Sequence, residues 1–258
     1  MNKDKLLQLF DKELREEIEY PEARKEITSD VVRFVREAPG MNFVSFTYAI
    51  ELDLDRVIEQ ELAYFAPMRQ PFTWKVYSHD PLPSLADKLK AHNFEADDDD
   101  PGEIMLLNVD SAPSYLFEPV KADIRLITDL ERLKDVVFVL DKVYGNNNDW
   151  VYKRLGGHLK VPGYLSVYAA YVDNQPVSIA WTYFQKGKFA SLFAGTTLEE
   201  FRKRGLYTSL LSIRLREIRE RGYQYAVVEA GAMSRPIVAK HGFQYLTTLI
   251  DYVWNDKK

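Results

Sequence analysis

The segment TLEEFRKRGLYT, residues 197–208, decides the fold of this chain. It follows the β-rich run FASLFAGTTL at 189–198 and leads into residues 205–221, where apolar side chains recur at helical spacing. A strand therefore passes through a basic loop into the first turn of a helix. Because that first turn offers unpaired N–H groups and the positive end of a dipole, the junction suits an anion such as a pyrophosphate.

The loop itself has the residues that an anion site needs. Gly205 has no Cβ and so lets phosphate oxygens approach the backbone. Arg202, Lys203 and Arg204 add positive charge in a chain whose net charge is −5. A basic tripeptide before a helix is also typical of a solvated surface, so the neighbouring segments must decide between the two interpretations.

Composition excludes several classes of protein. A length of 258 residues suits two domains, and 46% hydrophobic with 28% charged residues is typical of a globular chain. The absence of cysteine excludes disulfides, a thiolate nucleophile and a cysteine metal site. The four histidines lack metal-ligand spacing with Asp or Glu, so no metal is expected.

Charge and hydropathy also limit the partners. The acidic balance argues against binding nucleic acid through the overall field. No apolar run reaches the ~18 residues of a membrane span, and the N-terminus resembles a surface helix rather than a signal peptide. We therefore expect a soluble cytoplasmic protein without a membrane partner.

The order of elements is that of a mixed α/β chain. Two β-rich runs around a Pro-Gly turn at 38–42 predict a hairpin, and three runs before residue 198 predict an antiparallel meander. The acidic run at 97–102 predicts a solvated turn, and residues 110–119 predict a linker. The predicted helices are 4–19, 53–65, 81–93, 129–143, 205–221 and 234–242, and the predicted strands are 31–35, 43–52, 72–77, 103–109, 122–127, 164–172, 176–184, 189–198, 223–230 and 243–254.

The two halves of the chain repeat one order of elements. Residues 43–109 and 192–253 both run strand, helix, strand, helix, phenylalanine, strand. Chance agreement of ordinary α/β order is the alternative. We interpret the repeat as a degenerate structural duplication and predict domains at 1–118 and 119–258.

The junction resembles motif A of the GCN5-related N-acetyltransferases, the GNAT family. In that motif Arg or Gln, two further residues, Gly, one residue and then Gly or Ala open a helix after the fourth strand. Arg202 matches the first position and Gly205 the glycine, whereas Tyr207 replaces the usual small residue. The segment SRPIVAKHGF at 234–243 resembles motif B of the same family, a helix that ends in Gly-Phe.

This resemblance covers about residues 122–254, and it includes the antiparallel meander that precedes motif A. It implies an α+β, acyl-CoA N-acyltransferase fold: a central, mostly antiparallel sheet flanked by helices, with a degenerate partial copy at the N-terminus. It also implies acetyl-CoA as cosubstrate, with pantetheine in a gap between the end of strand 189–198 and strand 223–230. The implied cofactor-binding residues are Thr197, Arg202, Lys203, Arg204, Gly205, Leu206, Tyr207 and Thr208.

Direct acyl transfer to an amine requires a base, donors for an oxyanion and an acid for the thiolate. Many family members carry a Tyr as the acid four residues before the Gly of Gly-Phe, but this chain has Val238 there. Tyr207 and Ser234 are the hydroxyls that remain, and a mechanism through backbone and water alone is an equal alternative. Glu229, at the end of its strand, is the predicted base; capping the next turn or pairing with Arg235 is its alternative.

The loop Asn146–Asn148 precedes two further candidates. The resemblance implies that this region covers the acceptor, so Asp149 would hold a substrate ammonium with Trp150 beside it. An ordinary helix cap is the alternative for Asp149.

The first domain lacks the charge for a cosubstrate. Its counterpart of the junction, LDLDRVIEQ at 52–60, carries acidic residues that repel a pyrophosphate. The segments FTWKVYSHD, LADKLKAHNF and the C-terminal SRPIV-to-YVW stretch together resemble bacterial two-domain acetyltransferases of uncharacterised substrate. The sequence thus predicts an N-acetyltransferase acting on a small-molecule amine. A non-catalytic acyl-CoA sensor, an enzyme for protein amines, and a homodimer stay open.

Overall fold

A computed structural model describes residues 2–36, 40–145 and 148–255. Part of the predicted turn at 38–42 and Asn146 of the predicted loop lie outside these residues. The chain forms two compact units: the first contains Met1–Ile104, Ala230–Pro236 and Tyr245–Lys258, and the second contains Met105–Glu229 and Ile237–Gln244. The predicted boundary after residue 118 falls within the second unit, and the division into two functional domains stays a prediction.

Helices and strands alternate along most of the chain. The helices are α1 (Lys3–Asp11), α2 (Leu54–Phe65), α3 (Leu85–Ala91), α4 (Leu133–Tyr144), α5 (Asp149–His158), α6 (Leu206–Glu220) and α7 (Arg235–Lys240). The strands are β1 (Ala23–Ile27), β2 (Val31–Arg36), β3 (Asn42–Thr47), β4 (Phe72–Tyr77), β5 (Glu95–Asn108), β6 (Asp123–Ile127), β7 (Leu165–Val172), β8 (Gln175–Phe184), β9 (Phe189–Thr197), β10 (Tyr225–Ala230) and β11 (Gln244–Trp254).

The first unit is built on the strand order β1-β2-β3-β4-β11. All these neighbours are antiparallel except β3 and β4, which are parallel. Val44 packs in a cluster with leucines and isoleucine of α2 and α3, whereas the adjacent Phe43 packs with Ile18 and Phe34. Because successive strand residues point to opposite faces, both faces of this sheet carry an apolar cover.

The second unit has the strand order β10-β9-β8-β7-β6. Strands β6 to β9 are antiparallel, as the predicted meander requires, and β10 is parallel to β9. Its core joins apolar side chains of α4, α5 and α6 to Val167 of β7 and Ile179 of β8, all of them buried. The observed fold is therefore the predicted mixed α/β fold with a mostly antiparallel sheet and flanking helices.

The same strand–helix–strand motif occurs in both compact units. β3, α2 and β4 form a parallel crossover, and β9, α6 and β10 form another. The recurrence agrees with the repeat seen in the sequence. The interpretation of the first as a degenerate copy of the second stays a prediction.

Two sequence predictions are wrong in their details. The acidic run at 97–102 lies inside β5 rather than in a turn. Its carboxylates are exposed, which a strand tolerates, and Asp100 accepts a hydrogen bond from the N–H of Ala232 at 2.8 Å.

The predicted linker at 110–119 is also packed. It forms two short 3-10 turns with Leu116 fully buried, and the Arg219 guanidinium of α6 lies 3.7 Å from the ring centroid of Phe117. The Pro and Ser residues of this segment led to the prediction of a linker, although the segment also contains a short apolar run that packs against α6.

The predicted first helix changes form partway along its length. α1 ends at Asp11, and Lys12–Glu16 continue as a π-helical turn. This turn carries Arg15, which is buried and donates to the carboxylates of Asp11 and Asp80. A polar side chain thus points inward where helical periodicity alone predicts a simple amphipathic helix.

Candidate functional site

The candidate site begins at a bulge in β9. Ile179 of β8 pairs with Thr196 and Trp181 pairs with Phe193, so two residues of β9, Ala194 and Gly195, stand opposite one residue of β8. Ala194 has a φ of 50°. A non-glycine residue in this region carries local strain, which is a feature of functional strands.

The backbone pairing of the parallel strands β9 and β10 stops before the bulge. The pairing of β10 with β9 covers Tyr225–Val228 and Phe189–Leu192, while β9 continues to Thr197 and β10 to Ala230. The register thus ends just before the bulge. This agrees with the gap that the sequence resemblance implied between the ends of these strands.

The N-terminus of α6 follows directly. Gly205 occupies the N-cap with a φ of 77°, and its carbonyl accepts the N–H of Ser209 at 2.9 Å. Among the described residues, no acceptor is seen for the N–H groups of Leu206, Tyr207 and Thr208. A Cβ built at Gly205 would meet nothing within 4 Å. The turn is therefore open to a ligand, and its free donors fit phosphate oxygens.

The basic residues surround this turn. Arg202, Lys203 and Arg204 are exposed, and Lys203 has a φ of 62°. The Nε of Arg202 donates to the carbonyl of Thr197 at 3.3 Å, and the guanidinium of Arg204 lies 4.9 Å from the ring centroid of Phe201. These contacts tie the loop to the strand end and leave the charges at the surface, where they would attract an anion.

Tyr207 lies against the bulge. A Cβ at Gly195 would lie only 2.6 Å from Cε2 of Tyr207, so the glycine is what lets this ring approach the strand. Burial raises the pKa of Tyr207, and the charge of Arg214 partly opposes that rise. The phenol is therefore protonated at neutral pH and able to donate a proton.

His241 adjoins Tyr207 and was not predicted as a site residue. The two rings are stacked with centroids 6.3 Å apart. Nδ1 of His241 lies 2.9 Å from the hydroxyl of Tyr115, and Nε2 lies 3.4 Å from Oγ1 of Thr208. Burial, with a smaller effect of Lys240, lowers the pKa of His241, which favours the neutral imidazole.

Two further residues were missed at the sequence level. The exposed Tyr144, at the end of α4, places its hydroxyl 3.1 Å from Oγ1 of Thr196 in β9. Arg214 of α6 is 2% exposed and contacts carbonyls of β8 and β9. Only the fold brings both to the bulge, although a charge on the apolar stripe of a predicted helix was a signal for Arg214.

The other predicted residues have different surroundings. Glu229 is exposed and lies in β10 just past the paired region. Arg235, its predicted alternative partner, forms an ion pair with Glu103. The hydroxyl of Ser234 donates to the carbonyl of Gly231 at 3.3 Å within a local turn. Ser234 belongs to the first compact unit and Glu229 to the second.

The predicted acceptor residues open α5. Asp149 and Trp150 are exposed in its first turn, and the guanidinium of Arg154 lies 4.8 Å from the ring centroid of Trp150. The preceding Asn148 is buried and donates through Nδ2 to Asp141 at 2.7 Å. Asn148 thus ties the start of α5 to α4.

Neither a metal-ligand cluster nor a membrane-spanning helix is found among the described residues. Residues 2–36, 40–145 and 148–255 contain no group of three or more His, Asp or Glu side chains arranged to hold a metal ion. Within the same ranges, every helix is too short or too polar to span a bilayer.

A bulged strand, a parallel neighbour whose pairing stops at the bulge, and an open helix N-terminus define the acyl-CoA N-acyltransferase fold. Residues 127–232 match the family model for the acetyltransferase (GNAT) domain. The resemblance predicted from the sequence is confirmed over these residues, which are similar to the acetyltransferase (GNAT) domain. Acetyl-CoA is the cosubstrate of that family.

Solved structures share the fold over nearly the whole chain. A GCN5-related N-acetyltransferase from Kribbella flavida is 12% identical, with a TM-score of 0.70 over 97% of this chain and 93% of that one. A tandem GNAT protein of the clavulanic acid biosynthesis pathway is 15% identical, with a TM-score of 0.64 over 92% and 85%. A conserved protein of unknown function from Staphylococcus epidermidis is 14% identical, with a TM-score of 0.64 over 91% and 94%. No curated protein sequence matches the chain.

Proposed function

We propose that this protein transfers the acetyl group of acetyl-CoA directly to the amine of a small molecule, in a site formed by the α6 N-terminus and the β9 bulge. The observation that carries the proposal is the open first turn at Gly205, with unpaired donors and three exposed cations beside it. Such a turn is suited to the pyrophosphate of CoA. The cytoplasmic location and the homodimer stay predictions.

The chain's own residues would hold the phosphates and the acyl group at two places. The N–H groups of Leu206, Tyr207 and Thr208, with Arg202 and Arg204, would bind the phosphates. Backbone donors near the bulge, where β9 has one residue more than β8, would face the acyl oxygen, because a bulge leaves a residue outside the ladder. Bound acetyl-CoA would supply an activated acetyl group and a thiolate leaving group.

Proton transfers would fall to Glu229 and Tyr207. A free alkyl ammonium has a pKa near ~10, so it must lose a proton before it attacks. Glu229, just past the paired part of β10, is the proposed acceptor of that proton. Tyr207 is the preferred acid because its pKa is raised by burial and its ring lies on the bulge. Ser234 is a weaker candidate, since its hydroxyl is engaged in a turn.

An assay of CoA release with a panel of small amines tests this function. Acetyl-CoA should first raise the melting temperature, since a ligand at 100 times its Kd adds about 2.7 kcal/mol of stability. Free thiol should then appear only with certain amines. No melting shift near ~1 mM acetyl-CoA would contradict the proposal.

The same assay separates the alternatives. Val238, buried at the position where the family usually has an acid, favours a sensor that binds without turnover. Such a protein would show the melting shift but release no CoA with any amine. An enzyme for protein amines would release CoA with lysine-containing peptides and not with small amines.

A further inference from the structure

The guanidinium of Arg214 is buried in the second unit without an acidic partner. The residue is 2% exposed, and no carboxylate within the described ranges forms an ion pair with it. Its Nε donates to the carbonyl of Leu210 at 3.2 Å. Burying a charge is costly unless it is paired, and neutral replacements of buried charges are often as stable. A charge kept here therefore calls for a reason other than stability.

This group is charged under ordinary conditions. Burial lowers the pKa of Arg214 to about 10, and the neighbouring phenols of Tyr207 and Tyr168 act in the opposite direction. A guanidinium with that pKa is protonated at neutral pH. The second unit therefore holds a full positive charge in a place that water barely reaches.

The position of the charge is the flank of the β9 bulge. Nη1 of Arg214 lies 3.5 Å from the carbonyl of Trp181 and 3.4 Å from the carbonyl of Phe193. Trp181 and Phe193 are the register pair at which the bulge begins. One guanidinium thus bridges α6, β8 and β9 where the backbone leaves its regular ladder.

Tyr207 shares this arrangement. It precedes Arg214 by two helical turns on the same face of α6, and its ring contacts Gly195 inside the bulge. Arg214 and Tyr207 therefore bracket Ala194 and Gly195 from one helix. A shift of either side chain would alter the backbone that faces the gap.

We propose that Arg214 is a positioning residue of the acyl-transfer site: it fixes the bulge of β9 and places there a buried positive charge that stabilises the thiolate released from the thioester. The inference rests on the proposed function. The amine nitrogen, after giving a proton to Glu229, forms its bond to the acetyl carbon; the carbon–sulfur bond breaks with its electron pair on sulfur, and Tyr207 then donates its proton to that thiolate. Arg214 keeps its own protons, and its positive charge favours the negative charge on sulfur. A low local dielectric makes such a charge effective.

The test compares CoA with desulfo-CoA, which lacks the thiol, between pH 6.5 and 9.5. A free thiol has a pKa near ~8.5. If the site favours the thiolate, CoA binds more tightly than desulfo-CoA as the pH rises, and calorimetry gives this ratio of dissociation constants. A merely structural residue would leave the pH dependence of the ratio unchanged.

Three variants are measured beside the wild type. In Arg214→Met we expect the preference for CoA over desulfo-CoA at high pH to fall at least tenfold. The kcat should also fall at least tenfold, whereas the affinity for desulfo-CoA should stay unchanged. Arg214→Lys keeps the positive charge and should retain most of the preference for CoA and most of the kcat. Arg219→Met removes an exposed guanidinium of the same helix and should behave as wild type.

The other possible outcomes either support or contradict the proposed role of Arg214. The proposal is overturned if Arg214→Met matches the wild type, or if Arg214→Lys falls as far as Arg214→Met. Should Arg214→Met not fold, a wild-type affinity ratio independent of pH overturns the proposal and a rising ratio supports it. If the wild type binds neither CoA nor desulfo-CoA, the proposed function is contradicted as well. If the wild type is active but its ratio of dissociation constants does not change with pH, only the role of Arg214 is contradicted.

Discussion

At the scale of single residues, Gly205 and Gly222 form a natural pair at the two ends of α6. Their φ angles are 77° and 79°, and a Cβ at either would meet nothing within 4 Å. A side chain at either position costs similar backbone strain, about 1–3 kcal/mol. Only Gly205 lies beside the unpaired N–H groups of the first turn.

We therefore expect Gly205→Val to bind acetyl-CoA at least tenfold more weakly than Gly222→Val, because the new side chain projects into the space that phosphates would fill. Both variants should lose similar amounts of stability. Calorimetry and thermal melting give the two quantities. Equal affinities in the two variants would place the phosphates elsewhere.

The residues of the junction could be predicted, whereas their neighbours could not. Arg202 and Gly205 lie in one continuous segment whose spacing carries the signal. His241 and Tyr144 reach Thr208 and Thr196 only through tertiary packing. No local pattern encodes such contacts, so they became visible only in the fold.

At the scale of elements, a network of charges ties α1 and its π-helical turn to the end of β4. Arg15 donates to Asp11 at 2.7 Å and to Asp80 at 2.6 Å, and Nε2 of His79 lies 3.0 Å from Asp11. Burial acts to raise the pKa of Asp11, but hydrogen bonds from His79 and Arg15, with their charges, outweigh it and lower the pKa below 3.8.

A lowered pKa in the folded state makes this contribution depend on pH. The stabilisation is complete above the unfolded pKa near 3.8 and is lost as the pH falls through the folded value. We expect Asp11→Asn to lose about 1.5–3 kcal/mol at pH 7 and progressively less in acid. Urea unfolding across pH 2–7 measures this.

Asp4→Asn, an exposed residue of the same helix, is the control and should change little. A constant difference between Asp11→Asn and wild type at every pH would show that ionisation of Asp11 does not contribute.

Most elements followed from periodicity, and the exceptions share a cause. The acidic run of β5 is a strand because backbone pairing, rather than side-chain burial, forms it. The segment at 110–119 packs because Leu116 is buried by α6, a contact between distant parts of the sequence. Local composition carries no information about either.

At the scale of the whole molecule, the two crossovers differ in charge. In the first unit, Asp55 is engaged by Lys88 and by Nε2 of His92. In the second, the corresponding loop carries Arg202 and Arg204. Acidic side chains at a helix start repel a pyrophosphate, so we expect the cosubstrate to bind at the second crossover and not at the first.

We expect one acetyl-CoA per chain by calorimetry. Arg202→Glu/Arg204→Glu should weaken binding by well over tenfold, since each charge-assisted contact contributes about 1.5–3 kcal/mol, and wild-type binding should weaken with salt. Asp53→Lys/Asp55→Lys should leave the stoichiometry at one.

Lys3→Glu/Lys5→Glu changes net charge equally and is the control for the arginine variant. Two molecules bound per wild-type chain would contradict the assignment of the first unit. Normal affinity in the arginine variant would contradict the assignment of the loop.

The pairing of β11 with β4 sets an order of events during synthesis. Phe72 pairs with Trp254 and Tyr77 with Leu249, so one edge of β4 stays open until β11 leaves the ribosome. The strands β6 to β10 of the second unit are all translated before that point. An open edge beside Phe72 and Trp74 is an aggregation risk for a nascent chain. Chaperone demand should therefore fall on β4 and its neighbours, which are made early and gain their partner β11 only much later.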